Sequence, residues 1–249
     1  MHARRLPARH GFLWLVASFR LFRANPPLLS ALTLTYLFLA FLAIALPPVG
    51  PFLVSLASPA MVVIVANGCR AIERGRGIGL IAMTHGLKSH RVALVRLGGL
   101  LLLSSILILF ISTAIEGGQF SLVGPARTIS EEEAVGFMAR YMLIALPVVA
   151  AFWFAPLLTG WDGVPPAKSL FFSLVACWRN WRAFVVYTIA IILAAILLPG
   201  LLLILAATLS KALHDVLSVA LMMVLVPIIM AGVYVSYQDV FHGPAADSE

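Results

Sequence analysis

The sequence predicts an all-α integral membrane protein: a bundle of about six transmembrane helices with amphipathic helices at the membrane surface. Apolar residues make up 62% of the 249 residues and charged residues only 11%, whereas soluble domains have about 45–50% and about 25%. The mean hydropathy is +1.04, so the chain carries more apolar surface than a core of this size can bury. The apolar runs lack the alternation of a β-barrel, and therefore each must be helical to satisfy its backbone in lipid.

Six runs approach the roughly 20 residues that a helix needs to cross a hydrocarbon core of about 30 Å. The predicted spans are about 27–45, 51–67, 97–115, 141–161, 183–207 and 216–236. The first run is too long for the apolar region of a signal peptide, so we expect it to remain as a span. Residues 1–249 then form a single transmembrane domain, with a cytoplasmic tail and interfacial helix at 1–26 and a second cytoplasmic tail at 237–249.

The distribution of Lys and Arg between the spans predicts the orientation. Fourteen of the 17 basic residues fall on the side that holds the N-terminus: Arg4, Arg5, Arg9, Arg20, Arg23, Arg70, Arg74, Arg76, Lys88, Arg91, Arg96, Lys168, Arg179 and Arg182. The other three are Arg127, Arg140 and Lys211. This bias predicts that both termini are cytoplasmic, and it explains the net charge of +7 without a nucleic-acid partner. Cys69 and Cys177 then face the cytoplasm, where free thiols are expected.

Three basic, aromatic-rich segments precede the first, third and fifth spans and are typical of interfacial helices. They are Gly11–Asn25, about Leu80–Arg91, and a segment that begins at Pro165 and Pro166 and runs to Arg182. Each leads into a hairpin of two spans. The first and third share a Ser-to-Asn spacing, SFRLFRAN and SLVACWRN, which indicates an internal repeat of helix-plus-hairpin units.

Several motifs carry a resemblance to a known family. They lie at Phe154–Pro156, Trp161–Pro166 with Lys168, and Ala176–Asn180, with Trp14, Phe19, Arg20, Phe22, Asn25, Pro26, Pro47, Gly50 and Pro59 in the N-terminal half. With these residues the chain resembles a family of uncharacterised six-span inner-membrane proteins of beta-proteobacteria. The resemblance implies a multi-pass protein of the bacterial inner membrane. It carries no assigned activity, substrate or catalytic residue.

Few residues have the pattern of a catalytic or metal site. His85 and His90, with Cys69 nearby, have ligand types that suit zinc, but a spacing of five does not place two ligands on one helical face. His214 and Asp215 would need to be buried to relay protons, and at the start of a span they are typical of the water interface. No nucleotide loop, nucleophile elbow or metal quartet is present in the sequence, so we expect no enzyme, no cofactor and no metal.

The prolines inside the spans leave a second interpretation open. Pro199 with Gly200 could break the fifth span, and broken helices build the binding sites of many transporters. Proline also kinks membrane helices without any such role. No predicted span has a charge near its middle, which argues against an ion-coupled carrier.

One cluster is the candidate contact site: Trp178, Arg179, Asn180, Trp181 and Arg182. Two indoles, two guanidinium groups and an amide could bind a lipid phosphate or a protein partner through stacking and charge-assisted hydrogen bonds. An ordinary interfacial anchor has the same composition. The first hypothesis is therefore a non-enzymatic protein that organises membrane lipids, or a membrane or cytoplasmic protein partner, at the cytoplasmic interface. The alternative is a channel or carrier for a small neutral or amphipathic solute. The sequence leaves the oligomeric state open.

Overall fold

The computed structural model of the protein describes residues 3–46, 49–75, 80–115, 120–121, 124–125 and 131–243. Its helices are α1 His10–Ala24, α2 Pro26–Ile44, α3 Val49–Glu73, α4 Leu80–Met83, α5 Leu87–Ile115, α6 Glu131–Gly160, α7 Pro166–Arg179, α8 Trp181–Ile192, α9 Leu198–Leu209 and α10 Lys211–Tyr237. Two π-helical turns follow α8 and α10, at Leu193–Leu197 and Gln238–His242. The strands β1 Phe120–Ser121 and β2 Gly124–Pro125 form a two-stranded antiparallel ladder.

Six helical segments within the described residues are long and apolar enough to cross a membrane. They are α2, α3, α5, α6, the continuous α8–α9 unit and α10 together with its π-helical turn. Many of their large apolar side chains are exposed, as lipid-facing residues are. The predicted all-α bundle of six spans is confirmed.

The first interfacial helix and the first span meet at Asn25. Its side-chain Oδ1 accepts a hydrogen bond from Leu28 N at 3.2 Å, which caps α2, and Pro26 and Pro27 occupy the first helical positions, where no N–H donor is needed. The chain therefore changes direction at a junction that its own residues define. Helix α1 begins and ends one residue before the predicted boundaries.

The second interfacial segment differs from the prediction. A single helix over Leu80–Arg91 is wrong, because the segment is divided into the one-turn α4, a turn with Gly86 at φ +79°, and the beginning of α5. A non-helical residue, His90, kinks α5 near its start. Glycine accounts for the division, since a left-handed residue ends a helix at little cost only when it has no Cβ.

The fifth span is continuous, and its irregularity precedes the predicted break. Pro199 lies in the first turn of α9, directly after the π-helical turn at Leu193–Leu197. Proline cannot donate to the carbonyl four residues earlier and its ring displaces that carbonyl, so the wider turn accommodates the ring without interrupting the helix. A Cβ atom added to Gly200 would meet nothing within 4 Å.

The last helix extends into the first residues of the predicted C-terminal tail. It continues as a π-helical turn to His242, and Tyr237 and Val240 are fully buried. These residues are held because α1 packs against this end of α10. Residues 244–249 of the predicted tail lie outside the described residues.

The core is concentrated at one end of the bundle. Trp14, Phe154, Tyr187, Tyr234 and Tyr237 are among the largest fully buried side chains. Trp14 meets Tyr187 edge to face, Trp161 meets Tyr234 and Tyr237 in the same way, and the Phe154 ring is tilted against Tyr237. The chain's N-terminal segment, the C-terminal turn of α3, the α6–α7 loop and the end of α10 all reach this cluster. It is the end that the charge distribution predicts to be cytoplasmic.

Candidate functional site

Helix α7 buries its small side chains and exposes its large ones. Ser169, Ser173, Ala176 and Cys177 recur at helical spacing and are buried. The opposite face carries large apolar side chains that are exposed: Phe171, Phe172, Leu174, Val175 and Trp178. This is the reverse of a helix on a water-soluble core, and it is the distribution expected of a helix whose outer face lies in lipid.

Hydrogen bonds fix the buried face of α7 on α6. The hydroxyl of Thr159 donates to Ser169 Oγ at 2.9 Å, and Ser173 Oγ donates to the Ala150 carbonyl at 2.7 Å. Ser173 Oγ also accepts from Phe154 N at 3.0 Å. Successive α7 residues thus meet earlier α6 residues, so α7 runs antiparallel along the end of α6.

Ser173 contacts α6 in the turn that precedes Pro156. Its hydroxyl joins the donor and the acceptor of one helical turn, Phe154 N and the Ala150 carbonyl, just before Pro156. A hydroxyl from a neighbouring helix can add hydrogen bonds to the backbone of a membrane helix beside a proline. Ser173 therefore couples α7 to the turn of α6 that precedes Pro156.

Cys177 lies on the same buried face and has no disulfide partner. Its Sγ lies 3.4 Å from the Ala150 carbonyl oxygen. Burial raises the pKa of the Cys177 thiol to about 12, because desolvation disfavours the thiolate. The thiol is thus a packing group, in agreement with the expected free cysteines.

The residues of the predicted contact cluster differ in their exposure. Trp178 and Trp181 are 79% and 54% exposed, and Arg179 and Arg182 are exposed beside them. The Arg182 guanidinium lies 5.5 Å from the centre of the Trp181 ring, within the range of a cation–π contact. Asn180 is different: it is 1% exposed and interrupts the helix between α7 and α8.

Asn180 binds the segment of residues 3–9, named the N-terminal strap. Its Oδ1 accepts from Leu6 N at 2.8 Å, and its Nδ2 donates to the Arg4 carbonyl at 2.9 Å. Arg4 N donates in turn to the Val240 carbonyl at 2.9 Å, and the Leu6 side chain is buried. The strap is therefore fixed between the α7–α8 corner and the end of α10.

Asp239 fixes the helix that follows the strap. One of its carboxylate oxygens lies 2.7 Å from His10 Nδ1 and accepts from Trp14 Nε1 at 2.7 Å. Both donors belong to α1. Because Trp14 is 1% exposed, this contact holds α1 against α10 from inside the bundle.

A second polar cluster, which the sequence did not single out, surrounds Trp161. The Arg70 guanidinium lies 3.7 Å from the centre of the Trp161 ring, and Trp161 Nε1 donates to Asn67 Oδ1 at 3.0 Å. Tyr234 donates to Glu73. Tyr237 likewise donates to Asp162.

Asn67 also explains how the loop around α4 is held. Its Nδ2 donates to the Met83 carbonyl at 2.8 Å and to the His85 carbonyl at 3.0 Å. One signal in the sequence points to the cluster around Trp161: the Trp161–Asp162 pair belongs to the motif that carries the family resemblance. Its partners Asn67 and Tyr237 are too far away along the chain for spacing to connect them.

The other candidate residues lie at separate positions. Cys69 is buried in the core, the His90 ring lies next to Gly163, and His85 contributes its backbone carbonyl to Asn67. Within the described residues, no three His, Cys, Asp or Glu side chains form a group that could hold a metal ion. At the other end of the bundle Asp215 is exposed, and His214 Nδ1 lies 3.2 Å from the Leu203 carbonyl.

The two proposed repeat units share a layout. Ser18 and Ser173 are fully buried, and Asn25 and Asn180 each stand between an interfacial helix and a span. The side chains have different tasks, since Asn25 caps the next helix and Asn180 binds the strap. The internal repeat stays a prediction.

Comparison with known proteins agrees with this architecture. The chain is 34% identical over 192 residues to a probable inner membrane protein of Burkholderia thailandensis. The match covers 72% of this chain and 71% of that protein. The chain belongs to the family of this inner membrane protein. The predicted resemblance is thereby confirmed, and with six spans the chain is a multi-pass inner membrane protein. No family model and no solved structure matches it.

Proposed function

We propose that this protein is a non-enzymatic organiser of anionic lipids at the cytoplasmic face of the inner membrane. Its working surface is the outer face of α7 together with the first turn of α8. The observation that carries the proposal is the distribution of side chains on α7, whose large apolar residues and Trp178 point outward while its small polar residues bind α6.

The chemistry of this surface fits a lipid headgroup region. Exposed indole rings are favoured at the boundary between hydrocarbon and water. Arg179 and Arg182 each follow one of the two exposed tryptophans in the sequence, and a guanidinium group binds phosphate through two parallel charge-assisted hydrogen bonds. The surface therefore offers both an apolar anchor and a ligand for the phosphate.

The proposal is tested by the lipid selectivity of the purified protein. Spin-labelled phosphatidylglycerol and phosphatidylcholine would be compared in vesicles that contain the wild type or Arg179→Ala/Arg182→Ala. We expect the wild type to prefer the anionic lipid and the variant to lose most of that preference, since each basic residue near an anionic surface contributes about 1 kcal/mol. Higher salt should weaken the preference too.

The matched control removes two exposed arginines elsewhere on the predicted cytoplasmic side. Arg91→Ala/Arg96→Ala has the same change in net charge, and the control should keep the preference. Equal selectivity in the wild type and in Arg179→Ala/Arg182→Ala would refute the proposal. Mass spectrometry of protein extracted in mild detergent would show whether the arginine variant has lost a protein partner and not lipid.

A second candidate function is a channel or carrier for a small neutral or amphipathic solute. The specific observation is the π-helical turn at Leu193–Leu197 next to Pro199, since such turns occur often at functional sites. This function predicts solute flux into vesicles that contain the purified protein. That flux should change in Pro199→Ala and be unaffected by Arg179→Ala/Arg182→Ala.

A further inference from the structure

The N-terminal strap brings a second group of arginines to the α7–α8 corner. Arg4 and Arg5 lie where the strap backbone binds Asn180, through the Arg4 carbonyl and Leu6 N. Arg9 immediately precedes α1, whose Gly11 packs against the Ala183 carbonyl at the start of α8. Segments more than 170 residues apart in the sequence therefore meet at Asn180.

The result is a group of five arginines, named the basic corner: Arg4, Arg5, Arg9, Arg179 and Arg182. All five residues are exposed. A guanidinium group extends several ångströms from its backbone on a long flexible stem, so the strap side chains can reach the same headgroup layer as Arg179 and Arg182.

No carboxylate belongs to the segments that build this corner. The sequence has no Asp or Glu before Glu73 and none between Asp162 and Asp215. Asp239 packs against α1, and its carboxylate is engaged by His10 and Trp14. The positive charges of the basic corner are thus not offset by the elements that carry them, and concentrated charge of one sign attracts anions.

We propose that the basic corner is one binding site for the phosphate groups of anionic lipid headgroups, and that Asn180 is the positioning residue that holds its two halves together. This inference rests on the proposed function and extends it to the strap. Lipid is the ligand that fits, because Phe12, Trp178 and Trp181 are exposed on the same elements and would insert beside the headgroup.

The experiment measures the association of spin-labelled phosphatidylglycerol at trace level in phosphatidylcholine vesicles. Arg4→Ala/Arg5→Ala/Arg9→Ala should lower the association constant at least fivefold, the factor that corresponds to about 1 kcal/mol. Asn180→Leu keeps every arginine but removes the bonds to the strap, and it should lower the constant as much. Arg74→Ala/Arg91→Ala/Arg96→Ala removes the same charge elsewhere and should have little effect.

Because Asn180 is buried, a second variant covers the case in which Asn180→Leu fails to fold. Asn180→Ala also removes both bonds to the strap, adds neither charge nor apolar bulk at the buried site, and should lower the constant as much. A folded Asn180→Leu protein with wild-type association would overturn the positioning role. The strap variant has only exposed substitutions, and its helicity and elution volume should match the wild type.

The outcomes separate the inference from the proposed function. If Arg179→Ala/Arg182→Ala lowers the association and the strap variant does not, the inference is wrong and the proposed function stands. If neither variant lowers it, both are wrong. Glycerol phosphate in solution should compete only weakly, and competition as strong as that of the lipid itself would overturn the assignment of the site to a membrane lipid.

Discussion

Two adjacent glycines in α5 offer a matched pair for testing how the spans pack. A Cβ atom on Gly98 would lie 2.5 Å from the Leu56 carbonyl oxygen and 2.6 Å from Leu56 Cα. Both are backbone atoms of α3, which cannot rotate away as a side chain would. A Cβ on Gly99 would meet nothing within 4 Å. Small residues at one position of a helix pair allow the backbones to approach closely.

The expected effects follow from these distances. Ordinary van der Waals contact begins at 3.4 Å, so Gly98→Ala must move α3 and α5 apart by about 0.9 Å. Overpacking of this kind costs about 1–3 kcal/mol, partly offset by the gain of up to about 1 kcal/mol from Ala over Gly in a helix. Gly99→Ala has only the gain in helix propensity, because its added Cβ meets no other atom within 4 Å. We expect Gly98→Ala to lower the free energy of unfolding by about 1–2 kcal/mol and Gly99→Ala to leave it unchanged or slightly raised.

The assay is reversible unfolding in mixed micelles, with increasing sodium dodecyl sulfate and circular dichroism as the signal. Each variant would be compared with the wild type at the same detergent concentration. Equal midpoints for Gly98→Ala and Gly99→Ala would refute the close contact between α3 and α5. A lower midpoint for Gly99→Ala than for Gly98→Ala would show that the packed face of α5 has been assigned to the wrong residues.

Three further predictions concern the polar contacts of the core. Ser173→Val should lower the free energy of unfolding by about 2 kcal/mol in the same assay, because Phe154 N and the Ala150 carbonyl lose the hydroxyl that joins them, whereas Phe171→Val on the exposed face should have little effect. Asn67→Leu should cost about 2–4 kcal/mol, since three hydrogen bonds end on its amide; a loss below 1 kcal/mol would contradict this. Cys177 should resist maleimide at pH 8 until the protein is unfolded, because burial raises its thiol pKa to about 12. The raised pKa of Cys177 also predicts a dependence of stability on pH. Between about pH 8.5 and pH 12 only the unfolded thiol ionises, so the contribution of the buried thiol to the free energy of unfolding is complete below about pH 8.5 and declines as the pH rises toward 12.

The sequence was sufficient for the spans because the bilayer makes length and hydropathy decisive. A run of about 20 apolar residues has no other way to satisfy its backbone, and all six predicted spans are present as helices. The junction at Asn25 was equally readable, since an Asn followed by two prolines marks the beginning of a helix. These features depend on neighbours in the sequence.

The contacts of the site depend on residues far apart and could not be read in this way. The sequence placed Asn180 among the candidate residues for contact with lipid or a partner protein, but Asn180 is buried and binds the strap. The sequence shows that Asn180 lies between Trp178 and Trp181. It does not show which backbone groups will form hydrogen bonds with the Asn180 amide. The Trp161 cluster escaped for the same reason, because Asn67 and Trp161 are 94 residues apart.

The second interfacial helix and the C-terminal tail show where local patterns mislead. The segment around Gly86 has the composition of an interfacial helix, but its glycine adopts a left-handed conformation and Asn67 binds the carbonyls beside it. Residues 237–242 are polar enough to look like a tail, and tertiary contacts with α1 keep them helical. In both places tertiary hydrogen bonds outweigh composition.

The depth of Trp178 in the bilayer tests the central claim most directly. Fluorescence quenching by lipids brominated at different depths would be measured as the difference between the wild type and Trp178→Phe, so that the signals of the other four tryptophans cancel. The account predicts the strongest quenching from bromine just below the headgroups, where the outer face of α7 should lie. Strongest quenching from bromine at the bilayer midplane, or no quenching by any lipid, would contradict it.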